Sequence, residues 1–249
     1  MIVQPGSPLV LGLLFLALAV LVFVIEWRVL GYAFRQIGVP PRYMFAVLWL
    51  SLVGAHVNVP VAAIPVERLL PPQAVIVFGR THVIPPAPAD DTTIVAINVG
   101  GALLPFMVSL YLFARSRLRG RMLLGIAVVG VIIHGFARVV PGVGIAVPMF
   151  VPPLAAAVVA VALAFRRAPP VAYVSGSMGA LIGADLWNLS RIGELAAPVV
   201  SIGGAGTFDG VFLAGIIAGL LAIGIGGGRR EEPPTTSPPG RVLDRARAG

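Results

Sequence analysis

VSLYLFARSRLRGRMLLGIAVVGVIIHGF, running from Val108 to Phe136, holds the architecture in miniature. Two apolar runs are joined by a short turn that carries Arg115, Arg117, Arg119 and Arg121. A helix needs roughly 20 apolar residues to cross ~30 Å of hydrocarbon at ~1.5 Å per residue. Short arginine-rich turns stay on the cytoplasmic side of a membrane. The stretch therefore predicts two membrane helices whose connecting turn faces the cytosol.

The same pattern extends over the rest of the chain. Apolar runs cover about 9–25, 43–63, 93–114, 122–140, 144–165, 171–188 and 208–226. Hydrophobic residues make up 58% of the 249 residues and charged residues 11%, with a mean hydropathy of +0.97. A soluble domain carries about 25% charged residues. The expected fold is all-α: a polytopic transmembrane bundle of about seven spans, forming a single domain over residues 1–228. An outer loop spans 64–92, and a proline-rich tail over 229–249 has too little apolar surface to fold alone.

All 18 basic side chains are arginine, and their placement sets the expected orientation. Arg28, Arg35 and Arg42 lie between the first two spans, and Arg166 and Arg167 precede the sixth. Arg229, Arg230, Arg241, Arg245 and Arg247 follow the seventh. Only Arg68, Arg80, Arg138 and Arg191 fall in the alternate gaps. The N-terminus is thus expected outside and the C-terminus in the cytoplasm of a multi-pass cell-membrane protein. The net charge of +8 serves orientation and contact with anionic lipid rather than nucleic acid. The first run has no basic region before it and is followed by Glu26, Trp27 and Arg28, so it reads as an uncleaved span. Cysteine is absent, which excludes disulfides, thiolate metal sites and cysteine nucleophiles.

Polar residues inside the runs all fall toward the outer side. His56 and Asn58 lie in the second span, Asn98 in the third, His134 and Arg138 in the fourth, and Asp185 and Asn188 in the sixth. Asp209 opens the seventh. Ionisable groups within a bilayer are costly and face a cavity, a pathway or each other. Helix ends are also polar for ordinary reasons, and a carboxylate at a helix N-terminus is favoured by the dipole. Pro141, Gly142, Gly144, Pro148, Pro152 and Pro153 interrupt the join of spans four and five, and freed carbonyls there need partners. The Ala74–Phe78 segment of the outer loop reads as a short strand or hairpin. Gly179 and Gly183 form one small-residue face and Gly215 and Gly219 another, so spans six and seven are expected to touch.

Four strings carry a resemblance. They are Asn98-Val-Gly-Gly-Ala-Leu-Leu-Pro105, Pro141-Gly-Val-Gly-Ile-Ala-Val-Pro148, Gly183-Ala-Asp-Leu-Trp-Asn-Leu189 and Gly203-Gly-Ala-Gly-Thr-Phe-Asp-Gly-Val-Phe212. Together they resemble a prokaryotic multi-pass membrane family of unknown function (DUF1614), which implies a fold but no activity. Asp185 and Asp209 on consecutive spans are also similar to intramembrane aspartyl proteases, which pair one aspartate from each of two helices. In that reading the two carboxylates share a proton. Thr207 and Phe208 separate Gly204-Ala-Gly206 from Asp209, a departure from the Gly-x-Gly-Asp string of those enzymes.

Three readings follow. In the first, Asp185 and Asp209 supply charge or carry a proton in an outward-facing site for a small solute or ion, with Asn98, Asn188, Asn58, His134, His56 and Arg138 around it. In the second the aspartates are catalytic, and this is the one enzymatic reading. In the third the chain is a non-catalytic membrane scaffold or sensor. His56, His134, Asp185 and Asp209 are ligand types that zinc accepts, but without diagnostic spacing, and no metal or cofactor is assigned.

Overall fold

Proline and β-branched residues cut the apolar runs into helix and strand. In a computed structural model the described residues are 8–65, 74–77, 80–83, 92–142, 144–195, 197–204 and 210–226. Most of the outer loop, Asp209 and the tail 229–249 lie outside them. Helix α1 (Pro8–Ile37) ends at Gly38, whose φ of 104° is accessible to glycine. The amides of Gly38 and Val39 there cap the carbonyl of Phe34 at 3.0 and 2.9 Å. Pro40 and Pro41 then turn the chain into α2 (Met44–Gly54).

The all-helical expectation fails in the second and third runs. The second run leaves the helix after Gly54 and becomes strand β1 (Asn58–Pro65). Pro60 lacks an amide hydrogen, and in a helix its ring would clash with the carbonyl four residues back. After the hairpin of β2 (Ala74–Val77) and β3 (Arg80–Val83), the third run begins as β4 (Thr92–Asn98). Its start, Thr92-Thr93-Ile94-Val95, is β-branched throughout, and such side chains favour strand. A π-helical turn (Val99–Leu103) leads into α3 (Leu104–Arg115), followed by α4 (Arg119–Phe136). Strands β5 (Arg138–Val140) and β6 (Gly144–Ala146) then form a small antiparallel pair. The fifth run is helical only from α5 (Val151–Ala164), and α6 (Ala168–Ala180) passes through a second π turn (Leu181–Asp185) into 3₁₀ turns over Leu186–Leu195. Strand β7 (Val199–Ile202) and α7 (Gly210–Gly226) complete the chain. Strands β1, β4 and β7 form one sheet in the order β1-β4-β7, antiparallel between β1 and β4 and parallel between β4 and β7.

Among the described residues three helical stretches are long and apolar enough to cross a membrane: Gly12–Ile37, Arg119–Phe136 and Val151–Ile192. The last folds back on itself at Phe165, where φ is +35°, so that α5 packs on α6.

Helix α6 is the hub. All its residues except Pro170 are buried. Gly179 and Gly183 meet α4, not α7: a Cβ on Gly179 would lie 2.8 Å from Val129 Cγ1, and one on Gly183 would overlap the Gly130 carbonyl oxygen. Helix α7 does pack on α6, but through Gly215, which faces Ser177 and Tyr173, and through Ala214 and Ala218, which approach Gly176. Gly219 faces Ile37 of α1 instead. Small residues thus bring α6 close to α4 and α7, and α7 close to α1.

The bundle has two unlike ends. Leu112 lies 3.5 Å from a Cβ placed on Gly38, and Gly125 sits against Ser175 and Leu163. Gly219 sits against Ile37, with the Pro169 carbonyl at 3.9 Å. The turns bearing Arg35 and Arg42, Arg115 to Arg121, and Arg166 and Arg167 therefore share one end. The sheet and both π turns occupy the other.

Candidate functional site

At the strand end the polar side chains form two groups joined by the second π turn. The first centres on Asn98, the last residue of β4. Its backbone is extended (φ −74°, ψ 129°), so its Oδ1 accepts from the Gly101 amide at 2.8 Å and caps the first π turn. Its Nδ2 donates to the Ala55 carbonyl at 2.7 Å and to Asn58 Oδ1 at 3.0 Å. Asn98 is only 3% exposed, so these bonds replace water. Asn58 faces it directly in the β1–β4 register. Ser201 of β7 donates to the same Asn58 oxygen at 2.5 Å, which ties all three strands together through side chains.

Glycines bring this group to Asp185. Gly203 follows β7 with φ of 77°, and a Cβ on it would lie 2.6 Å from the Ala102 nitrogen. Its amide donates to Asp185 Oδ2 at 2.6 Å. Asp185 ends the second π turn, so its carboxylate meets the chain leaving the sheet, beside the first π turn. Single π turns inside helices recur at functional sites, because one extra residue redirects carbonyls and side chains.

The second group gathers around Gly183, within the same turn. Asn188, 2% exposed, donates to the Ala184 carbonyl at 2.8 Å and to that of Gly183 at 3.4 Å. His134 Nδ1 lies 3.3 Å from the Gly183 oxygen and 3.4 Å from Asn188 Nδ2. A protonated Nδ1 donates to the carbonyl, and an unprotonated one accepts from the amide. Trp187 meets the imidazole edge-on, with centroids 5.5 Å apart at 86°.

Other residues named from sequence stand elsewhere. His56 is exposed and folds back on the Leu52 carbonyl of its own helix at 3.1 Å. Arg138 is exposed on β5, opposite Ala146 of β6. Asp209 lies outside the described residues, and with it any pairing with Asp185. Among the described residues no three histidine or acidic side chains converge as metal ligands. Sequence reasoning missed Ser201, Gly203 and Trp187. Only the glycine pair Gly203-Gly204 after a β-branched run signalled a close approach.

A family model for a protein of unknown function (DUF1614) matches residues 52–221. The chain belongs to the DUF1614 family. No curated protein and no solved structure matches it. The DUF1614 match begins within α2 and ends within α7. It takes in Asn58, Asn98, His134, Asp185, Asn188 and Ser201, and leaves out α1.

Proposed function

We infer that this chain is a seven-span membrane protein, N-terminus outside and C-terminus cytoplasmic. Its outward polar junction around Asp185 takes up a proton or small cation. The arginines at one end of the bundle support that orientation. Helix α2 has 11 residues and covers about 17 Å, against ~30 Å of hydrocarbon. Apolar β1 and β4 carry the crossing onward toward the outer surface. Open sheet edges are not tolerated in hydrocarbon. Edge strand β1 carries Pro60 and Pro65, which present no amide hydrogen, and this fits a place at the interface.

The observation that carries the reading is the state of the Asp185 carboxylate. One oxygen is fixed by the Gly203 amide, at the point where the chain leaving the sheet passes the first π turn. A carboxylate in such a place binds a cation or a proton more readily than an anion.

A second reading rests on a different observation. Asn98, Asn58 and Ser201 spend their hydrogen bonds on one another and on backbone. That is how a rigid joint in a scaffold or sensor is built.

Proteoliposomes with a trapped pH dye separate the two. Under an imposed potential, the native chain is expected to move protons and Asp185→Asn is not. Equal flux from both would end the transport reading. No flux above that of empty liposomes from either would favour the scaffold.

A further inference from the structure

The turn of the α1–α2 hairpin lies at the arginine end, away from the Asp185 junction. From Gly12 to Val29 every residue of α1 is exposed, so among the described residues none covers this length of helix. Four exposed aromatic rings run along the hairpin in a continuous row. Phe23 and Trp27 of α1 have centroids 6.0 Å apart, Trp27 and Phe45 of α2 6.3 Å, and Phe45 and Trp49 6.2 Å, the last pair stacked at 11°. Exposed rings in a row form a ridge against which an extended hydrocarbon chain makes many contacts at little entropic cost.

Basic residues flank this ridge, on α1 and in the turn to α2. Arg28 follows Trp27 directly, and Arg42 stands at the start of α2 with its guanidinium 4.8 Å from the Tyr43 ring centroid. Arg35 is exposed near the end of α1. Glu26 is the only acidic residue from Met1 to Met44, against three arginines in the same stretch. Tryptophan prefers the interface, and a guanidinium matches a phosphate bidentately. An apolar ridge leading to a fixed positive head is complementary to one kind of molecule in a bilayer.

We propose that the α1–α2 hairpin is a binding site for an anionic phospholipid, its acyl chains along the Phe23–Trp27–Phe45–Trp49 ridge and its phosphate at Arg28 and Arg42. The site is independent of the Asp185 reading. It requires only that the chain be embedded in a membrane.

The three tryptophans make a direct test possible. Trp187→Phe leaves Trp27 and Trp49 as reporters of the hairpin, whereas Trp27→Phe/Trp49→Phe leaves Trp187 at the opposite end as a control. Each protein is placed in vesicles of equal parts phosphatidylglycerol and phosphatidylcholine, with bromine on the acyl chains of one lipid or the other. Membrane composition is then constant, and only the quenching species changes. Brominated phosphatidylglycerol is expected to quench the hairpin tryptophans more strongly, with a local enrichment of about five-fold per arginine. It is expected to show no such preference at Trp187. Arg28→Gln/Arg42→Gln is expected to abolish the preference, while Arg117→Gln/Arg121→Gln retains it. Equal quenching by the two lipids at the hairpin would overturn the proposal. So would loss of the preference in the Arg117/Arg121 variant, which would indicate a diffuse field, or relief by added inorganic phosphate, which would indicate a soluble ligand. Should the Arg28/Arg42 variant fail to reconstitute, raising salt on the Trp187→Phe protein serves the same purpose: a preference unchanged by salt would refute the guanidinium–phosphate contact.

Discussion

The amide of Gly203 donates to Asp185 Oδ2 at 2.6 Å, joining residues that 17 others separate in the chain. Gly203 is buried, so its N–H has no water to turn to. Asp185→Ala leaves that donor unpaired and is expected to cost about 1–3 kcal/mol. Asp185→Asn keeps a carbonyl oxygen in place and is expected to cost less. Thermal unfolding in detergent micelles compares the two. Equal stability would show that the bond contributes nothing to the fold.

Gly183 and Gly130 meet backbone to backbone, with no room for a methyl group between them. Gly183→Ala must push α4 away from α6 and is expected to destabilise by about 1–3 kcal/mol or more. Gly120 is the opposite case, because a Cβ there meets nothing within 4 Å. Gly120→Ala is expected to be neutral or to stabilise by up to about 1 kcal/mol through reduced backbone entropy. A denaturation series on both variants checks the contrast, and a Gly183→Ala protein as stable as the native chain would refute the close approach.

Asn98 holds β4, the end of α2 and the first π turn with one side chain. Asn98→Ala removes the cap and strands a buried Gly101 amide, at an expected cost of about 2–3 kcal/mol. Asn98→Asp preserves the cap oxygen but has no donor for the Ala55 carbonyl, so it is expected to be intermediate. If Asn98→Asp is the worse of the two, repulsion of the buried carboxylate by the Ala55 carbonyl and Asn58 Oδ1 outweighs the cap.

Absence of cysteine allows single-cysteine labelling without background. A cysteine replacing Ser116 in the four-arginine turn is expected to react only from the cytoplasmic side. One replacing Asp90 in the outer loop is expected to react from outside with an impermeant maleimide. The reverse pattern would invert the orientation and place the polar junction on the cytosolic face.

Much of this molecule was legible in its residues, though unevenly. Length and hydropathy marked the apolar runs, and arginine spacing separated one end from the other, since both depend on residue chemistry summed over a window. The strands within the second and third runs were missed. An apolar run rich in valine and isoleucine satisfies a helix template and a buried-strand template alike. Pro60 and the Thr92–Val95 run were the available signals, and hydropathy outweighed them. The glycine faces were visible as motifs, but their partners were not. Gly179 and Gly183 read the same whether they face α7 or α4.

The polar cluster divides in the same way. Asn98, Asp185, Asn188 and His134 drew notice because polar groups in apolar surroundings are costly. Ser201 and Gly203 did not, because neither is unusual on its own.

Residue chemistry alone was enough for an apolar, helix-rich chain with basic and polar groups at opposite ends, because solvent preference is a property of each side chain. Which side chains touch was settled by the fold: Asn58 beside Ser201, Asp185 beside Gly203, and α4 rather than α7 against Gly183. Those contacts depend on how strands pair and how closely backbones pass, and short-range sterics and hydrogen-bond direction act only once distant segments have been brought together.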